Sequence, residues 1–270
     1  MNFHVVTGLP RSGSTLLCNI LNQNPNFYAS STSPVPQMLN SLVFNWSSSA
    51  EVKGLLEHQK EETELRMENC ARNMIEGWYA HKDKSVILDK SRGWSSSNLM
   101  LNKIYPNAKM IVCVRNLLNV FASVEKQHRK NPLLDEAENL NDRTVYTRAD
   151  KMFGPEGLIG QPIVGVEDLI RRSVPSIIFV QYEMFVRNPQ AGMERIYSHI
   201  NEEYFEHDFD NVENTAEDAD GFYLHKFPHS GSGKVEPPLE EEWPKYISPD
   251  LAQTIRGRFT DYCQYFGYLS

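Results

Sequence analysis

Cysteine is scarce in this chain, and the few cysteines are not paired. The 270 residues include four cysteines, and no two of them stand in a C-x-x-C arrangement. Cys18 and Cys113 fall in apolar helical and strand contexts, which favours buried free thiols over disulfides or metal ligands. The cysteine pattern is therefore typical of a reducing compartment, and we expect a cytoplasmic location.

The chain also lacks a long hydrophobic run. No apolar stretch approaches the roughly 18 residues that indicate a membrane-spanning helix. The first predicted strand begins at Phe3, which leaves no room for a signal peptide. We therefore expect a soluble protein with no membrane partner.

Positive charge is in the minority. Lys and Arg number 27 against 35 Asp and Glu, which gives a formal net charge of −8. A nucleic-acid-binding protein needs a basic face to neutralise phosphates, so we expect no nucleic-acid partner. Hydrophobic residues at 40% and charged residues at 23% are ordinary for a globular protein with a sizeable core, and the length fits a single α/β domain over residues 1–270.

Short apolar runs alternate with helical patterns along the chain. The predicted strands are Phe3–Thr7, Ser85–Leu88, Lys109–Val114 and Ser176–Val180. They are mostly continuous apolar runs rather than alternating ones, as is typical of strands buried on both faces of a parallel sheet. The predicted helices are Ser14–Asn22, Glu51–His81, Ser96–Ile104, Val120–His128, Pro189–Ile200 and Ser248–Phe266. This rhythm predicts an α/β fold in which helices flank a central, mostly parallel sheet.

The first predicted strand leads into a glycine-bounded loop. The segment Gly8-Leu9-Pro10-Arg11-Ser12-Gly13-Ser14-Thr15 has the spacing of the P-loop pattern G-x-x-x-x-G-K-[ST], with Ser14 where that pattern has lysine. Backbone N–H groups and the positive end of the following helix dipole favour an anion here. Without the lysine that reaches the β- and γ-phosphates, the loop suits a single terminal phosphate better than a triphosphate. Arg11 supplies the positive charge in this loop. Together with the alternation of strands and helices, the loop predicts a P-loop-like fold with three layers.

Other polar residues follow the later predicted strands. Arg115 leaves the third strand, and Ser123 lies eight residues further on in the next helix, so an arginine fork and a hydroxyl suit a second phosphate group. Lys90 follows the second strand and is expected to reach an anion held by the first loop. Tyr182 follows the fourth strand, where it either contacts a nucleotide or packs in the core. Because open α/β sheets bind ligands at the carboxyl ends of their strands, we expect these residues and Arg11 to lie together.

Together these residues resemble the sulfotransferases that use 3′-phosphoadenosine-5′-phosphosulfate (PAPS). Residues 10–15 are similar to their 5′-phosphosulfate loop, P-[KR]-S-G-[ST]-T, and Arg115 with Ser123 matches the R-x7-S spacing of their 3′-phosphate motif. Lys90 stands where the family has a lysine after its second strand, and Tyr182-Glu183 resembles the family's YE-x-[LF]-[VL] strand end. The similarity is closest to tyrosylprotein- and carbohydrate-type members and spans roughly residues 3–200.

The resemblance implies a role for each of these residues. It implies that Arg11 neutralises charge on the leaving phosphate and that Lys90 stabilises the sulfuryl group, so these two are the predicted catalytic residues. The implied donor-binding residues are Arg11, Ser12, Gly13, Ser14, Thr15, Arg115, Ser123 and Tyr182. The implied reaction moves a sulfuryl group from PAPS to a hydroxyl or amine of a small-molecule, carbohydrate or peptide acceptor, with 3′,5′-ADP (PAP) as the product and no metal.

The chain departs from the family at the general base. Cytosolic members carry a histidine two residues after the lysine, where this chain has Arg92. Tyrosylprotein members carry a Glu-Glu pair, and the matching stretch here is Ser30-Ser31-Thr32-Ser33. Asp89, Glu57 and His58 are the remaining candidates, and for each of them a surface or packing role is the better explanation.

Two later segments carry weaker signals. His229-Ser230-Gly231-Ser232-Gly233-Lys234 resembles the flexible basic segment that closes over the nucleotide in the family, so Lys234 is a further predicted donor-binding residue; an ordinary surface turn explains it equally well. Residues 131–173 mix Pro, Gly and charge with a short predicted helix near Thr144–Met152, which predicts an insertion over the active-site mouth. We expect this insertion and residues 29–49 to form the acceptor pocket.

Two other functions fit part of the pattern. A nucleotide kinase or related phosphotransferase uses a similar loop, but Ser14 in place of lysine and the lack of a clear Mg²⁺-holding acid disfavour it. A catalytically inactive protein that binds PAPS or PAP is consistent with the missing histidine and glutamates.

Overall fold

A parallel sheet organises the chain. The computed structural model describes residues 1–130, 144–215, 233–237 and 241–269. Within them the strands are β1 (Asn2–Gly8), β2 (Phe27–Ala29), β3 (Val86–Lys90), β4 (Met110–Val114) and β5 (Ile177–Gln181). Their order across the sheet is β2-β3-β1-β4-β5, and every pair is parallel. This confirms the predicted α/β fold with a parallel sheet.

Helices connect the strands and cover both faces of the sheet. They are α1 (Ser14–Leu21), α2 (Val35–Ser48), α3 (Ala50–His58), α4 (Lys60–Tyr79), α5 (Asn98–Ile104), α6 (Leu117–Lys130), α7 (Val145–Phe153), α8 (Gly160–Arg172), α9 (Tyr182–Arg187), α10 (Pro189–Ile200), α11 (Pro249–Arg258) and α12 (Thr260–Phe266). Short 3-10 helices occupy Arg92–Ser96 and Trp243–Lys245. None of the helices in the described residues combines the length and the apolar character needed to cross a bilayer.

The sequence patterns missed one strand and merged two pairs of helices. β2 has only three residues, too few for an apolar run to stand out. The predicted helix over 51–81 is interrupted at Gln59, whose φ of −141° and ψ of 51° are not helical. The predicted helix over 248–266 is interrupted in the same way at Phe259. Neither position is Gly or Pro, so no local signal marks these breaks.

The core has one layer on each face of the sheet, because successive strand residues point to opposite faces. Phe3, Val5, Ile87 and Val112 belong to the layer that includes α4 and α8. The opposite layer is formed by β1, β3 and β4 together with α1 and α10, and its members include Val6, Leu88, Ile111, Leu17, Cys18, Cys113 and Ile196. Cys18 and Cys113 are buried free thiols, as predicted.

The segment predicted as an insertion contains both α7 and α8. Residues 131–143 of it lie outside the described residues, and α7 occupies the place of the predicted short helix. α8 contributes to the core, since Ile163 and Val166 are fully buried. It packs closely on the 3-10 helix after β3: a methyl group added at Gly165 would stand 2.6 Å from Ser95 Oγ. Residues 160–172 are therefore a core crossover helix, and the role of 131–173 at the active-site mouth stays a prediction.

The carboxyl ends of the strands meet along one edge of the sheet. Val6 is in register with Lys90, Gly8 with Cys113, and Val114 with Gln181. The loop after β1 and the residues that follow β3, β4 and β5 are thereby brought to the same edge. The predicted ligand-binding residues lie there because of this register.

Candidate active site

The loop between β1 and α1 is held in a conformation that depends on its glycines. Gly8 has a φ of 129°, Arg11 of 57° and Gly13 of 84°. A Cβ at Gly8 would stand 2.0 Å from the carbonyl oxygen of Cys113, so only glycine lets β1 leave the sheet this close to β4. Gly13 takes the left-handed conformation at the N-cap of α1. The glycine spacing seen in the sequence therefore has a direct geometric cause.

The loop presents the start of α1 to a ligand. Ser12 Oγ donates a 2.6 Å hydrogen bond to the carbonyl of Leu9, which closes the loop on itself. Gly13 has no side-chain cap among the described residues, so the first N–H groups of α1 are not capped locally. Uncapped N–H groups and the helix dipole together favour an anion. The start of α1 is therefore a suitable phosphate site.

Lys90 adds a cation beside this site. It is the last residue of β3, its side chain is on the α1 face of the sheet, and only 9% of the residue is exposed. Its Nζ donates to Thr15 Oγ1 across 2.9 Å. The predicted catalytic lysine and the predicted loop are therefore in direct contact.

Arg115 reaches the same loop from the end of β4. Its Nη1 donates to the carbonyl oxygen of Arg11 across 2.9 Å. Arg11 in turn donates from Nε to Ser123 Oγ on α6 across 3.0 Å. The residues predicted for the 5′ and 3′ ends of the donor thus form one hydrogen-bonded cluster.

Tyr182 packs between the loop and Arg115. The guanidinium carbon of Arg115 lies 4.3 Å from the centroid of the Tyr182 ring, within the range of a cation–π contact. On the loop side, a Cβ at Gly13 would stand 2.6 Å from Tyr182 Cδ2. The ring therefore supports both the loop and the arginine, a role that the sequence motif alone did not specify.

Two tyrosines near the C-terminus hold the end of β4. The Tyr262 hydroxyl accepts from the backbone N–H of Arg115 (3.2 Å) and donates to the carbonyl oxygen of Arg115 (2.9 Å). Glu183 Oε1 accepts from the N–H of Asn116 across 3.0 Å. Its other oxygen, Oε2, accepts from the Tyr268 hydroxyl across 2.8 Å. Sequence reasoning missed both tyrosines, because nothing in the local pattern at 260–268 relates them to a strand end far away in the chain.

Asp89 is buried on the face opposite Lys90. It is fully buried, and its carboxylate accepts from the hydroxyls of Ser33 and Tyr79 and, across 2.6 Å, from Trp94 Nε1. Burial raises the pKa of the Asp89 carboxyl, and the three hydrogen bonds act in the opposite direction. With no exposed surface, this carboxylate anchors the protein interior rather than meeting an acceptor.

Two serines of the stretch 30–33 hold the backbone of Lys90. Ser30 Oγ accepts from the N–H of Lys90 across 2.8 Å. The N–H of Ser33 donates to the carbonyl oxygen of Lys90 across 2.9 Å. The other base candidates, Glu57 and His58, are exposed at the end of α3. Arg92, two residues after Lys90, is exposed and donates to the carbonyl oxygen of Leu158 across 3.4 Å.

Lys234 lies beside the loop at 208–212. Its Nζ pairs with Asp210 Oδ1 at 3.3 Å, its side chain is 61% exposed, and the neighbouring Gly233 bridges to Val212. Residues 229–232 of the predicted late loop lie outside the described residues. A contact of Lys234 with the donor stays a prediction.

In the described part of the chain, no group of three or more His, Cys, Asp or Glu residues is arranged to hold a metal ion.

The profile of the sulfotransferase family matches residues 5–159, which is more than half of the chain. The matched region contains the β1–α1 loop, Lys90, Arg115 and Ser123. The chain therefore belongs to the sulfotransferase family, whose members transfer sulfuryl groups. No curated protein sequence gives a significant match.

Solved sulfotransferase structures share this fold. The sulfotransferase domain of the olefin synthase of Synechococcus PCC 7002 is 18% identical, with a TM-score of 0.55 and 94% of each chain covered. Mouse sulfotransferase SULT7A1, solved with PAP, is 11% identical, with a TM-score of 0.53 over 97% of this chain and 84% of that one. A retinol dehydratase complex with retinol and PAP is 15% identical, with a TM-score of 0.51 over 97% and 81%. The P-loop-like three-layer fold of this chain is therefore that of sulfotransferases.

Proposed function

We propose that this sulfotransferase uses PAPS as its donor and releases PAP. The observation that carries the proposal is the contact between two separately predicted phosphate sites: Arg115 donates to the carbonyl of Arg11, and Arg11 donates to Ser123. A nucleotide with a phosphate at each end of its ribose matches this pair of sites. The PAP complexes of mouse SULT7A1 and retinol dehydratase support the same donor.

In this proposal the start of α1 takes the 5′-phosphate. The uncapped N–H groups after Gly13 and the hydroxyls of Ser14 and Thr15 are the donors offered there. Arg115 and Ser123 take the 3′-phosphate, for which a guanidinium provides paired charge-assisted hydrogen bonds. The Tyr182 ring under Arg115 limits the positions that the guanidinium can take.

The transfer needs positioning and fixed positive charge. The acceptor oxygen or nitrogen forms a bond to sulfur and releases its proton to solvent, while the bond from sulfur to the bridging phosphate oxygen breaks. Negative charge therefore grows on the 5′-phosphate of PAP. Lys90, held 2.9 Å from Thr15 Oγ1, neutralises charge on the sulfuryl group. Arg11 neutralises the leaving phosphate. Prearranged charges of this kind need no reorganisation during the reaction.

We further propose a small-molecule acceptor with a hydroxyl or an amine. Retinol dehydratase has been solved with retinol and with androsterone, and both structures support an acceptor of this size. A kinase reaction is not favoured, because Ser14 occupies the place of the lysine that a triphosphate site uses.

The test is a transfer assay with PAPS and a panel of small hydroxyl and amine acceptors. Mass spectrometry of the acceptors and quantification of released PAP are the two readouts, and a reaction without the protein is the blank. We expect a sulfated acceptor and an equal amount of PAP. Tight PAP binding without any sulfated product would instead indicate a donor-binding protein without transfer activity.

A further inference from the structure

Tyr262 makes an unusual pair of hydrogen bonds with a single residue. Its ring is fully buried, and its hydroxyl both accepts from the N–H of Arg115 and donates to the carbonyl oxygen of Arg115. The two residues are 147 positions apart in the sequence. One side chain therefore fixes both peptide groups that flank the Arg115 Cα.

These bonds matter because Arg115 is the first residue after β4. The strand ends at Val114, so Arg115 is outside the hydrogen-bond ladder between β4 and β5. The Tyr262 hydroxyl takes the place of a strand partner for this residue. It thereby sets the direction in which the arginine side chain leaves the backbone.

The far end of the arginine is fixed separately. Its guanidinium stacks on Tyr182 at 4.3 Å and donates to the carbonyl of Arg11 at 2.9 Å. With the backbone held by Tyr262 and the guanidinium held by the loop, the side chain loses little conformational freedom when it binds an anion. Preorganisation of this kind increases affinity without adding a contact to the ligand.

A second tyrosine from the same region holds the next peptide group. The Tyr268 hydroxyl donates to Glu183, and the other oxygen of that carboxylate accepts from the N–H of Asn116. The C-terminal α12 and the residues after it therefore form the support behind the end of β4.

We infer that Tyr262 is a positioning residue that gives the protein its preference for a 3′-phosphorylated nucleotide. The inference rests on the proposed function, in which Arg115 binds the 3′-phosphate. Loss of the hydroxyl leaves the N–H and carbonyl of Arg115 without this partner and lets its peptide groups rotate. The affinity that depends on the 3′-phosphate then falls, whereas the 5′-phosphate contacts come from the start of α1 and remain.

The experiment compares Tyr262→Phe with Tyr265→Phe in the full chain. Tyr265 lies on the same helix and is 56% exposed, so its hydroxyl serves as a matched control. Calorimetric titrations use PAP and AMP, which differ in the 3′-phosphate. We expect Tyr262→Phe to bind PAP about five- to tenfold more weakly and AMP within about twofold of the unmodified protein. Tyr265→Phe should leave both affinities unchanged.

Several results would overturn the inference. Equal losses for PAP and AMP in Tyr262→Phe would show a general structural role, and no loss for either would show that the hydroxyl does not position Arg115. If Tyr262→Phe does not fold, Tyr268→Phe takes its place and should lower PAP affinity about threefold with AMP unchanged. An unmodified protein that binds PAP and AMP equally would contradict the proposed function itself, which separates that failure from failure of the tyrosine's role.

Discussion

The Nε of Arg11 donates to Ser123 Oγ across 3.0 Å, although the two residues belong to motifs for opposite ends of the donor. Arg11 lies in the loop after β1, and Ser123 lies on α6 after β4. The contact links the Arg11 side chain to the predicted 3′-phosphate site, whereas the backbone N–H groups at the start of α1 take no part in it. We therefore expect removal of either side chain to change the position of the other.

The first prediction is that Arg11→Ala and Ser123→Ala are coupled in PAP binding. Each single change should weaken binding, and the double mutant should depart from additivity by about 0.5–3 kcal/mol, because residues in direct contact share their effects. Calorimetric titration of the four proteins with PAP measures the coupling. A parallel cycle of Arg11→Ala with Arg66→Ala on the exposed face of α4 should be additive. Additivity within about 0.3 kcal/mol for Arg11 and Ser123 would contradict the linked-site account.

The second prediction concerns the glycine at the start of α1. Gly13→Ala forces a φ of 84° on alanine and places its Cβ 2.6 Å from Tyr182, so we expect a loss of stability of about 2 kcal/mol and at least a tenfold loss of PAP affinity. Gly77→Ala is the matched control. That helical glycine has no atom within 4 Å of an added Cβ, so the change should raise stability by about 0.5–1 kcal/mol and leave PAP binding intact. Urea unfolding and PAP titration measure both effects, and equal behaviour of the two variants would argue against the loop geometry.

The third prediction separates binding from catalysis at Lys90. Lys90→Ala should lower kcat by about 10²–10³-fold, because a fixed charge beside the transferred group is lost, while PAP affinity changes less than about threefold. PAP lacks the sulfuryl group that Lys90 is proposed to contact. Lys84→Ala, a change of an exposed lysine that donates to the carbonyl of Pro25, should preserve kcat. A Lys90→Ala enzyme with normal kcat would remove this residue from the mechanism.

The fourth prediction concerns acid stability. Burial lowers the pKa of His207 from 6.5 to about 4, so the unfolded chain binds this proton more readily than the folded protein. The stabilising contribution is present above about pH 6.5 and is lost as the pH falls towards 4. His207→Phe keeps a ring among Tyr197, Phe205 and Phe209 but removes the titration. The fall in unfolding free energy from pH 7 to 4 should shrink by about 2–3 kcal/mol in this variant.

Urea unfolding at several pH values measures that slope. The exposed His58 supplies the control, because His58→Gln removes an imidazole that is not buried. An unchanged slope in His207→Phe, or an equal change in His58→Gln, would show that His207 is not the titrating group.

The parts of the site that sequence reasoning found are those with local patterns. The glycine spacing of residues 8–13 reflects a strand-to-helix loop, and each of Lys90, Arg115 and Tyr182 follows a recognisable apolar strand. Parallel strands put their carboxyl ends on one edge, so strand order did not have to be known for these residues to be grouped.

The parts that were missed depend on contacts distant in sequence. Tyr262 meets Arg115 only because α12 packs behind the end of β4, and no pattern around residue 262 indicates it. Asp89 was weighed as a base because it adjoins Lys90, whereas the alternation of strand side chains turns it to the opposite face, against Tyr79 and Trp94. The break between α3 and α4 at Gln59 has no proline or glycine to announce it.

The most direct test of the account is a calorimetric comparison of PAP with AMP on the unmodified protein, with ATP and Mg²⁺ as a third ligand. If Arg115 and Ser123 bind the 3′-phosphate, PAP should bind at least about tenfold more tightly than AMP, which lacks that phosphate. ATP with Mg²⁺ should bind more weakly than PAP. Equal affinity for PAP and AMP would contradict the two-site account, and binding of ATP with Mg²⁺ alone would contradict the PAPS-dependent reaction.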